Sequence, residues 1–407
     1  MAVLSDKQLA ASVRRELLED ILPFWRRRTL DKQRGGFIGR MSNGLRVRPD
    51  APKGLILNAR ILWTFSAACR YTQSDEDAAL AQRAYEYLTQ HFLDRRYGGY
   101  FWELDPSGAV LDDKKKIYGQ AFCIYALAEY YRVFTEGRAL LQALDLFNLL
   151  EVHALDYHYG GYLEVLSRDW RPCKDMRLSD KDMNEKKSMN NHLHILEAYT
   201  GLLGASPELR HADRLRDLIN IFQRHILNAE QTHFQHFFDE AWTPRSDSYT
   251  FGHDIEGSWL LCEAAAELGD KRLLRQVRTL ATKMARRVLA EGVDADGGLF
   301  YEGRDGRIIN PNKEWWPQAE AVVGFYNAWQ LTGDRAFRRA AARCWQFIMD
   351  RVVDHKHGEW FWCIRPDGTP DRSQPKVSPW KCPYHNSRCC LEIIRRTQTE
   401  PNATVHE

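Results

Sequence analysis

Asp94-Arg-Arg-Tyr-Gly-Gly-Tyr100 is one member of a series, because Asp31-Lys-Gln-Arg-Gly-Gly-Phe37 precedes it and Asp156-Tyr-His-Tyr-Gly-Gly-Tyr162 follows it. Asp354-His-Lys-His-Gly-Glu-Trp360 is a fourth version. Asp294-Ala-Asp-Gly-Gly-Leu-Phe300 is a fifth, with its glycine pair one residue early, and Asn228-Ala-Glu-Gln-Thr-His-Phe234 fills the remaining slot in degenerate form. The starts at 31, 94, 156, 228, 294 and 354 are 63, 62, 72, 66 and 60 residues apart, a period that means a repeat architecture. Turn signals follow five of the phrases: Asn43-Gly44, Asp105-Pro106, Asp239-Glu240, Asp305-Gly306 and Asp367-Gly368. Each marks a small β-excursion closed by a tight turn.

Between the phrases the chain is helical by period. Leu9, Val13, Leu17 and Ile21 recur beside charged positions and predict an amphipathic helix. Leu55–Ala68, Tyr118–Tyr131, Asn190–Leu203, Ser258–Leu268 and Ala319–Leu331 are apolar on nearly every side, as helices buried all round are. One half-exposed and one buried helix per repeat predicts an all-α fold, an (α/α)6 barrel of six helix pairs with short β-hairpin excursions. Residues 1–407 are expected to form a single catalytic domain. An open solenoid is the alternative, disfavoured by short tails and by the lack of polar capping repeats.

The 407 residues are 44% hydrophobic and 28% charged, with 57 Lys and Arg against 55 Asp and Glu. A net charge of +2 excludes a nucleic-acid binder driven by phosphate neutralisation, and this composition excludes a disordered chain. No run of about 18 apolar residues suggests a membrane span. The first residues lack an apolar signal core, and the nine cysteines include no C-x-x-C, so a cytoplasmic location is expected. Phosphate-loop, dinucleotide and H-E-x-x-H motifs are missing. The 13 Trp and 14 His stand out. Most read as ordinary: Trp25, Trp63 and Trp345 as packing, and His91, His211 and His406 as surface or structural groups.

Aligning the starts of the buried helices separates the others. Asn58-Ala-Arg60, Gln120-Ala-Phe122, His192-Leu-His194, Asp254-Ile-Glu256, Gln318-Ala-Glu320 and Asn386-Ser-Arg388 share one register. Residues three or four apart share a helix face. One face then collects Arg60, Tyr118, Phe122, Asn190, His194, His253, Glu256, Trp316, Glu320, Tyr384, His385 and Arg388, all at one end of the ring. So many polar groups predict a wetted pocket.

Three chemistries fit this set. Glu256 and Glu320 are a possible acid–carboxylate pair for a glycosidase. A histidine metal site is disfavoured, since His192 and His194 point to nearly opposite faces. Two histidines with an arginine suit proton transfer at a carbon beside a carbonyl, the guanidinium steadying the developing oxyanion. Two bases on opposite faces invert that carbon; one base gives an aldose–ketose isomerase.

Leu57–Phe65 (LNARILWTF), Ser188–Tyr199 (SMNNHLHILEAY), Phe251–Leu261 (FGHDIEGSWLL), Trp315–Ala321 (WWPQAEA) and Trp380–Asn386 (WKCPYHN) resemble the N-acylglucosamine 2-epimerase superfamily over nearly the whole chain. The likeness is greatest to the branch that epimerises cellobiose. The resemblance implies a cofactor-independent enzyme with no metal, converting the reducing-end glucose of a β-1,4 disaccharide to mannose through ring opening and a cis-enediolate. By matching motif it implies that His253 and His385 are the acid/base pair, that His194 assists ring opening and that Arg60 steadies the enediolate. Tyr118, Asn190 and Glu256 would bind the reacting sugar, Glu256 also orienting its histidine neighbour, with Glu320 a further substrate-binding residue. Trp316 and Trp380 would carry the second sugar. Cys382 and Asn191 depart from the glycine and threonine common in that family. Arg168–Lys187, which lengthens the third repeat, is expected to be a mobile lid. The expected partner is a small-molecule disaccharide, with no nucleic acid or membrane, and the chain a monomer or weak homodimer. An N-acylglucosamine 2-epimerase, a mannose isomerase and a non-catalytic sugar-binding helical-repeat protein are the alternatives.

Overall fold

The computed structural model describes residues 4–398, so His406 lies outside the described residues. The outer layer begins with α1 (Asp6–Arg15), capped by reciprocal Ser5–Gln8 bonds, and runs through a π-helical turn, Glu16–Ile21, into α2 (Leu22–Arg28). Inner and outer helices then alternate. The pairs are α3 (Leu55–Thr72) with α4 (Asp75–Tyr87), α5 (Ile117–Phe134) with α6 (Gly137–His153), and α7 (Met189–Ala205) with α8 (Leu209–Ile221). They continue as α9 (Phe251–Glu267) with α10 (Lys271–Glu291) and α11 (Trp315–Thr332) with α12 (Arg335–Phe347). The last inner helix is α13 (Tyr384–Gln398).

Inner helices pack in chain order, and α13 returns onto α3 while α1 packs on α13. The first and last helices are thus the sixth pair, and the ring is closed rather than an open solenoid. Leu9, Val13, Leu17 and Ile21 are all fully buried. A strict four-residue step drifts off one face of a 3.6-residue helix, and the wider π turn takes up that drift. Two inner helices begin earlier than their apolar stretches: α9 at Phe251 rather than Ser258, and α11 at Trp315 rather than Ala319. The first turns, Phe251-Gly-His-Asp and Trp315-Trp-Pro-Gln, carry glycine, proline and polar residues that interrupt the apolar run, which is what hid them. Among the described residues no helix is long and apolar enough to cross a membrane.

All six phrases close with a backbone bond from their first residue, and four of them share one conformation with two successive left-handed residues. Asp94 N–H donates to Gly99 O at 2.9 Å, and the same bond joins Asp31 to Gly36, Asp156 to Gly161, Asn228 to His233, Asp294 to Gly298 and Asp354 to Glu359. The leading aspartate has a second partner, a buried lysine just ahead of the inner helices or, in repeat six, at the corresponding place. The pairs are Lys53–Asp31 (2.9 Å), Lys115–Asp94 (3.0 Å), Lys187–Asp156 (2.7 Å), Lys313–Asp294 (2.6 Å) and Lys376–Asp354 (2.8 Å). Repeat four has neither charge: Tyr249 stands at the lysine position and stacks on His233 at 3.7 Å. A buried lysine without its aspartate would be an uncompensated charge, so the pairs fix the geometry of each turn more than they raise stability.

The β-excursions are tied to their neighbours. Lys53–Gly54 pairs with Glu103–Leu104, Lys115–Lys116 with Val165–Leu166, Lys187–Ser188 with Phe237–Phe238, Tyr249–Thr250 with Glu302–Arg304, and Lys313–Glu314 with Cys363–Ile364. A bridge between Met41 and Val377 completes this β-ring at the end where the inner helices start. Glycine is needed at Gly161, where φ is +76° and a Cβ would lie 2.4 Å from Trp242. In repeat six Glu359 takes the equivalent left-handed position (φ +63°), its buried carboxylate paired with Lys381 and accepting from Asn386 Nδ2 at 2.6 Å.

Candidate active site

The shared register splits into two layers. Its first residue faces outward and holds a phrase: Gln120 Oε1 accepts from Tyr100 N–H (2.8 Å), His192 Nε2 from Tyr162 N–H (2.9 Å), Asp254 Oδ1 from Phe234 N–H (2.8 Å) and Gln318 Oε1 from Leu299 N–H (2.7 Å). His192 also places Nδ1 2.7 Å from Ser188 O, and burial holds it neutral, at about 3. Two residues further on, Arg60, Phe122, His194, Glu256, Glu320 and Arg388 converge on the barrel axis.

Arg388 lies at the centre, buried. Nη2 donates to Glu256 Oε1 (2.5 Å) and Glu320 Oε1 (2.7 Å), and Nη1 donates to Glu197 and to Tyr384 Oη. Against the upward push of burial, Arg388 and the bonds from His194 and Tyr384 hold Glu197 at about 2. Burial, then the charge of Glu320, pushes Glu256 well above the carboxylate range; burial also raises Glu320.

The three histidines are each held through Nδ1. His385 Nδ1 lies 2.7 Å from Glu320 Oε1, His194 Nδ1 3.0 Å from Glu197 Oε2, and His253 Nδ1 2.6 Å from Thr250 Oγ1. In each the Nε2 has no partner among the described residues. All three are held below their ordinary value: His253 by burial and then His236, His194 and His385, His385 by burial and then Arg60 and Arg388, His194 by burial. Trp316 lies between the first two, its ring 4.6 Å from His253 and 5.7 Å from His385.

Arg60 packs its guanidinium over Phe122 (4.3 Å) and Tyr384 (5.0 Å) and donates to Tyr118 Oη at 2.9 Å. Cys382 Sγ stands 4.0 Å from its Nη1. Arg60 Nε, Asn190 Oδ1 and Glu256 Oε2 are buried without a hydrogen-bond partner, a set of donor and acceptors that a hydroxylated ligand matches. Trp380 is half-buried against Trp102 (6.0 Å) and Tyr118 (5.9 Å). With Trp102, Leu178, Ser179 and Asp180 it lines a cavity of about 260 Å³.

Most of the residues singled out from sequence therefore meet at one end of the barrel, with two corrections. Glu256 does not orient His253: its Oε1 is taken by Arg388, while Thr250 contacts His253, and the carboxylates that orient histidines are Glu320 for His385 and Glu197 for His194. The Arg168–Lys187 segment is not a lid along its whole length. It opens as the hairpin turn of repeat three, Ser167 N–H donating to Arg171 O at 2.8 Å, and Trp170 is buried beneath Tyr97. Only its tip borders the cavity, where Lys116 Nζ donates to Leu178 O at 3.0 Å. Sequence reasoning missed Glu197, Thr250 and His236. Glu197 was recoverable, since it lies three residues after His194 on the same face.

Ligand atoms of Glu256, Glu320 and His385 lie within 4.8 Å of one another, a spacing compatible with a metal. Arg388 already bonds both carboxylates, so a permanent cation fills that position and the donor set does not suit a metal ion.

The fold recurs in known proteins. Residues 36–389 match the model of the N-acylglucosamine 2-epimerase family. A cellobiose 2-epimerase of Bacteroides fragilis is 44% identical, over 96% of this chain and 99% of its own length. One from Dictyoglomus turgidum is 37% identical over 96% and 99%. The solved cellobiose 2-epimerase of Bacillus thermoamylovorans superposes with a TM-score of 0.90 at 37% identity, covering 96% of this chain and all of that one. The chain belongs to the N-acylglucosamine 2-epimerase family and is an isomerase of the carbohydrate-epimerase type.

Proposed function

We propose that the chain epimerises the reducing-end glucose of β-1,4-linked disaccharides at C2, giving mannose, with cellobiose and by the same linkage lactose as substrates. The observation that carries this is the pair His253 and His385, on helices that flank α11, each tied back through Nδ1 with Trp316 between them. His194 assists ring opening. One histidine then takes the C2 proton of the open aldose on Nε2, and the electron pair moves into a cis-enediolate whose charge on O1 is met by Arg60. The other histidine, which enters the step as imidazolium, returns its Nε2 proton to C2 from the opposite face, the C1 carbonyl re-forms and the ring closes. No cofactor enters this sequence. Tyr118, Asn190, Glu256 and Glu320 hold the reacting ring or its neighbours.

Incubation with cellobiose in heavy water, followed by NMR, tests the reading. Glucosyl-mannose carrying deuterium at C2 supports it. Glucosyl-fructose as sole product makes the enzyme an isomerase, and turnover of free mannose or N-acetylmannosamine without turnover of the disaccharide sinks the disaccharide claim.

Trp380 is the platform of the distal sugar in this reading. Aromatic contact of this kind is worth about 1–1.5 kcal/mol, so Trp380→Ala raises KM for cellobiose about tenfold and leaves kcat nearly unchanged, the pattern of lost uniform binding. A fall in kcat with unchanged KM places Trp380 elsewhere in the mechanism.

A further inference from the structure

Repeat four is the one without the lysine–aspartate pair, and it carries His253. Its strand residue Thr250, immediately before α9, has the side-chain contact that distinguishes this repeat. The hydroxyl lies 2.6 Å from His253 Nδ1 and 3.3 Å from His236 Nε2, and the Thr250 backbone N–H donates to that same His236 nitrogen at 3.2 Å. We propose that Thr250 and His236 form a positioning relay that fixes the tautomer of His253, presenting Nε2 to the substrate as a base.

The direction of the relay follows from donor and acceptor accounting. A backbone N–H only donates, so His236 Nε2 carries no proton and His236 is the neutral Nδ1–H tautomer. Burial agrees, holding His236 at about 4. The Thr250 hydroxyl has one hydrogen. His236 Nε2 has one lone pair, which the Thr250 backbone N–H and hydroxyl share in a bifurcated contact at 3.2 and 3.3 Å; with the hydroxyl hydrogen turned there, the hydroxyl lone pairs accept from His253 Nδ1–H. The proton of neutral His253 is then on Nδ1 and the lone pair on Nε2. Once Nε2 has taken a proton from C2, the imidazolium still has Nδ1–H, and Thr250 still accepts it, because His236 continues to receive the hydroxyl hydrogen. Without that acceptor the hydroxyl hydrogen can turn to His253 Nδ1, which puts the ring proton on Nε2 and removes the base.

The neighbouring repeat supplies a comparison. Glu164 accepts from Ser188 N–H at 2.7 Å in the same relative place, so a backbone acceptor there needs no imidazole. The ionisable groups acting on His253 are His236, His194 and His385, none of them a carboxylate. His385, by contrast, is backed by Glu320. The two bases are therefore unequal: one has an acidic partner, and the other a neutral hydroxyl–imidazole chain.

This inference rests on His253 being one of the two bases, and the test separates the two claims. Epimerisation of cellobiose and washout of the C2 hydrogen into heavy water are followed, starting from each epimer, in wild type, Thr250→Val, Thr250→Ser, His236→Phe and His253→Ala. The relay predicts that Thr250→Val and His236→Phe slow epimerisation about 10- to 100-fold with KM within about twofold, and that Thr250→Ser stays within about threefold of wild type. Washout from the epimer served by His385 continues in both damaged variants, because that half-reaction does not use His253. Thr250→Val at wild-type rate beside an inactive His253→Ala overturns the relay and keeps the base assignment. Equal damage in Thr250→Ser, or equal loss of washout from both epimers, makes Thr250 a packing residue and also overturns it. An active His253→Ala overturns the base assignment and the relay together.

Discussion

His385→Ala and His253→Ala are each expected to lower epimerisation of cellobiose about 10²- to 10⁴-fold, the range of a lost general acid or base. Each variant should keep its fold, since the Nε2 of either ring has no partner among the described residues and its only hydrogen bond is through Nδ1. Loss of rate alone does not separate two bases from one base with a helper. The decisive reading is washout in heavy water: each single variant should still exchange the C2 hydrogen of one epimer, and the two variants should serve opposite epimers. If both lose washout from the same epimer, a one-base mechanism replaces the two-base one. The acid limb of kcat/KM should lie below 6.5, because burial first and neighbouring charges second hold both histidines under their ordinary value. An acid limb above 6.5 would contradict that downward shift.

Arg388→Met is expected to destabilise the fold by about 3–5 kcal/mol at pH 7, the cost of leaving buried carboxylates without their partner. Glu197, Glu256 and Glu320 all lose a bond in this variant. The sign of the pH dependence follows from linkage. Glu256 and Glu320 have folded-state values raised above the unfolded ones, so their contribution is present at low pH and lost as pH rises through the folded values. Removing the guanidinium raises them further, and the variant should gain melting temperature as pH is lowered from about 8 to 5. Glu197 works the other way in the intact protein. Held at about 2 against an ordinary 4.5, it contributes stability above 4.5 that is lost as pH falls toward 2. Thermal melts across pH check both statements, and a variant with an unshifted melting point at pH 7 refutes the central role of Arg388.

The repeat phrases and the inner-helix register were legible in the sequence because both recur at near-constant spacing, and a turn or a helix face is a local property. The lysine–aspartate pairs were not, although they recur in five repeats. Four of the five lie 19–22 residues apart and the fifth, Lys187–Asp156, 31 apart across the long hairpin of repeat three; the pairing joins a turn to the next strand and shows no local periodicity. The expected Glu256–His253 pairing failed for a related reason. Helical spacing put both on one face, but the competing partners, Arg388 from α13 and Thr250 from the strand before α9, come from tertiary structure. His236 lies in a β-arm of repeat four, outside any helical register, and only the β-ring brings it to Thr250.

Closing the ring with its first and last helices also has a cost in time. Trp360 Nε1 donates to Glu16 Oε1 across 344 residues, and α1 buries Leu9 and Val13 against a helix made at the far end of the chain. At ribosomal speeds of about 5–20 residues per second, the apolar stripe of α1 waits on the order of 20–70 s for α13 to emerge. The nascent chain spends that interval as an incomplete arc with two unpaired helical surfaces, and this is the window in which a chaperone, or another nascent copy, meets them first.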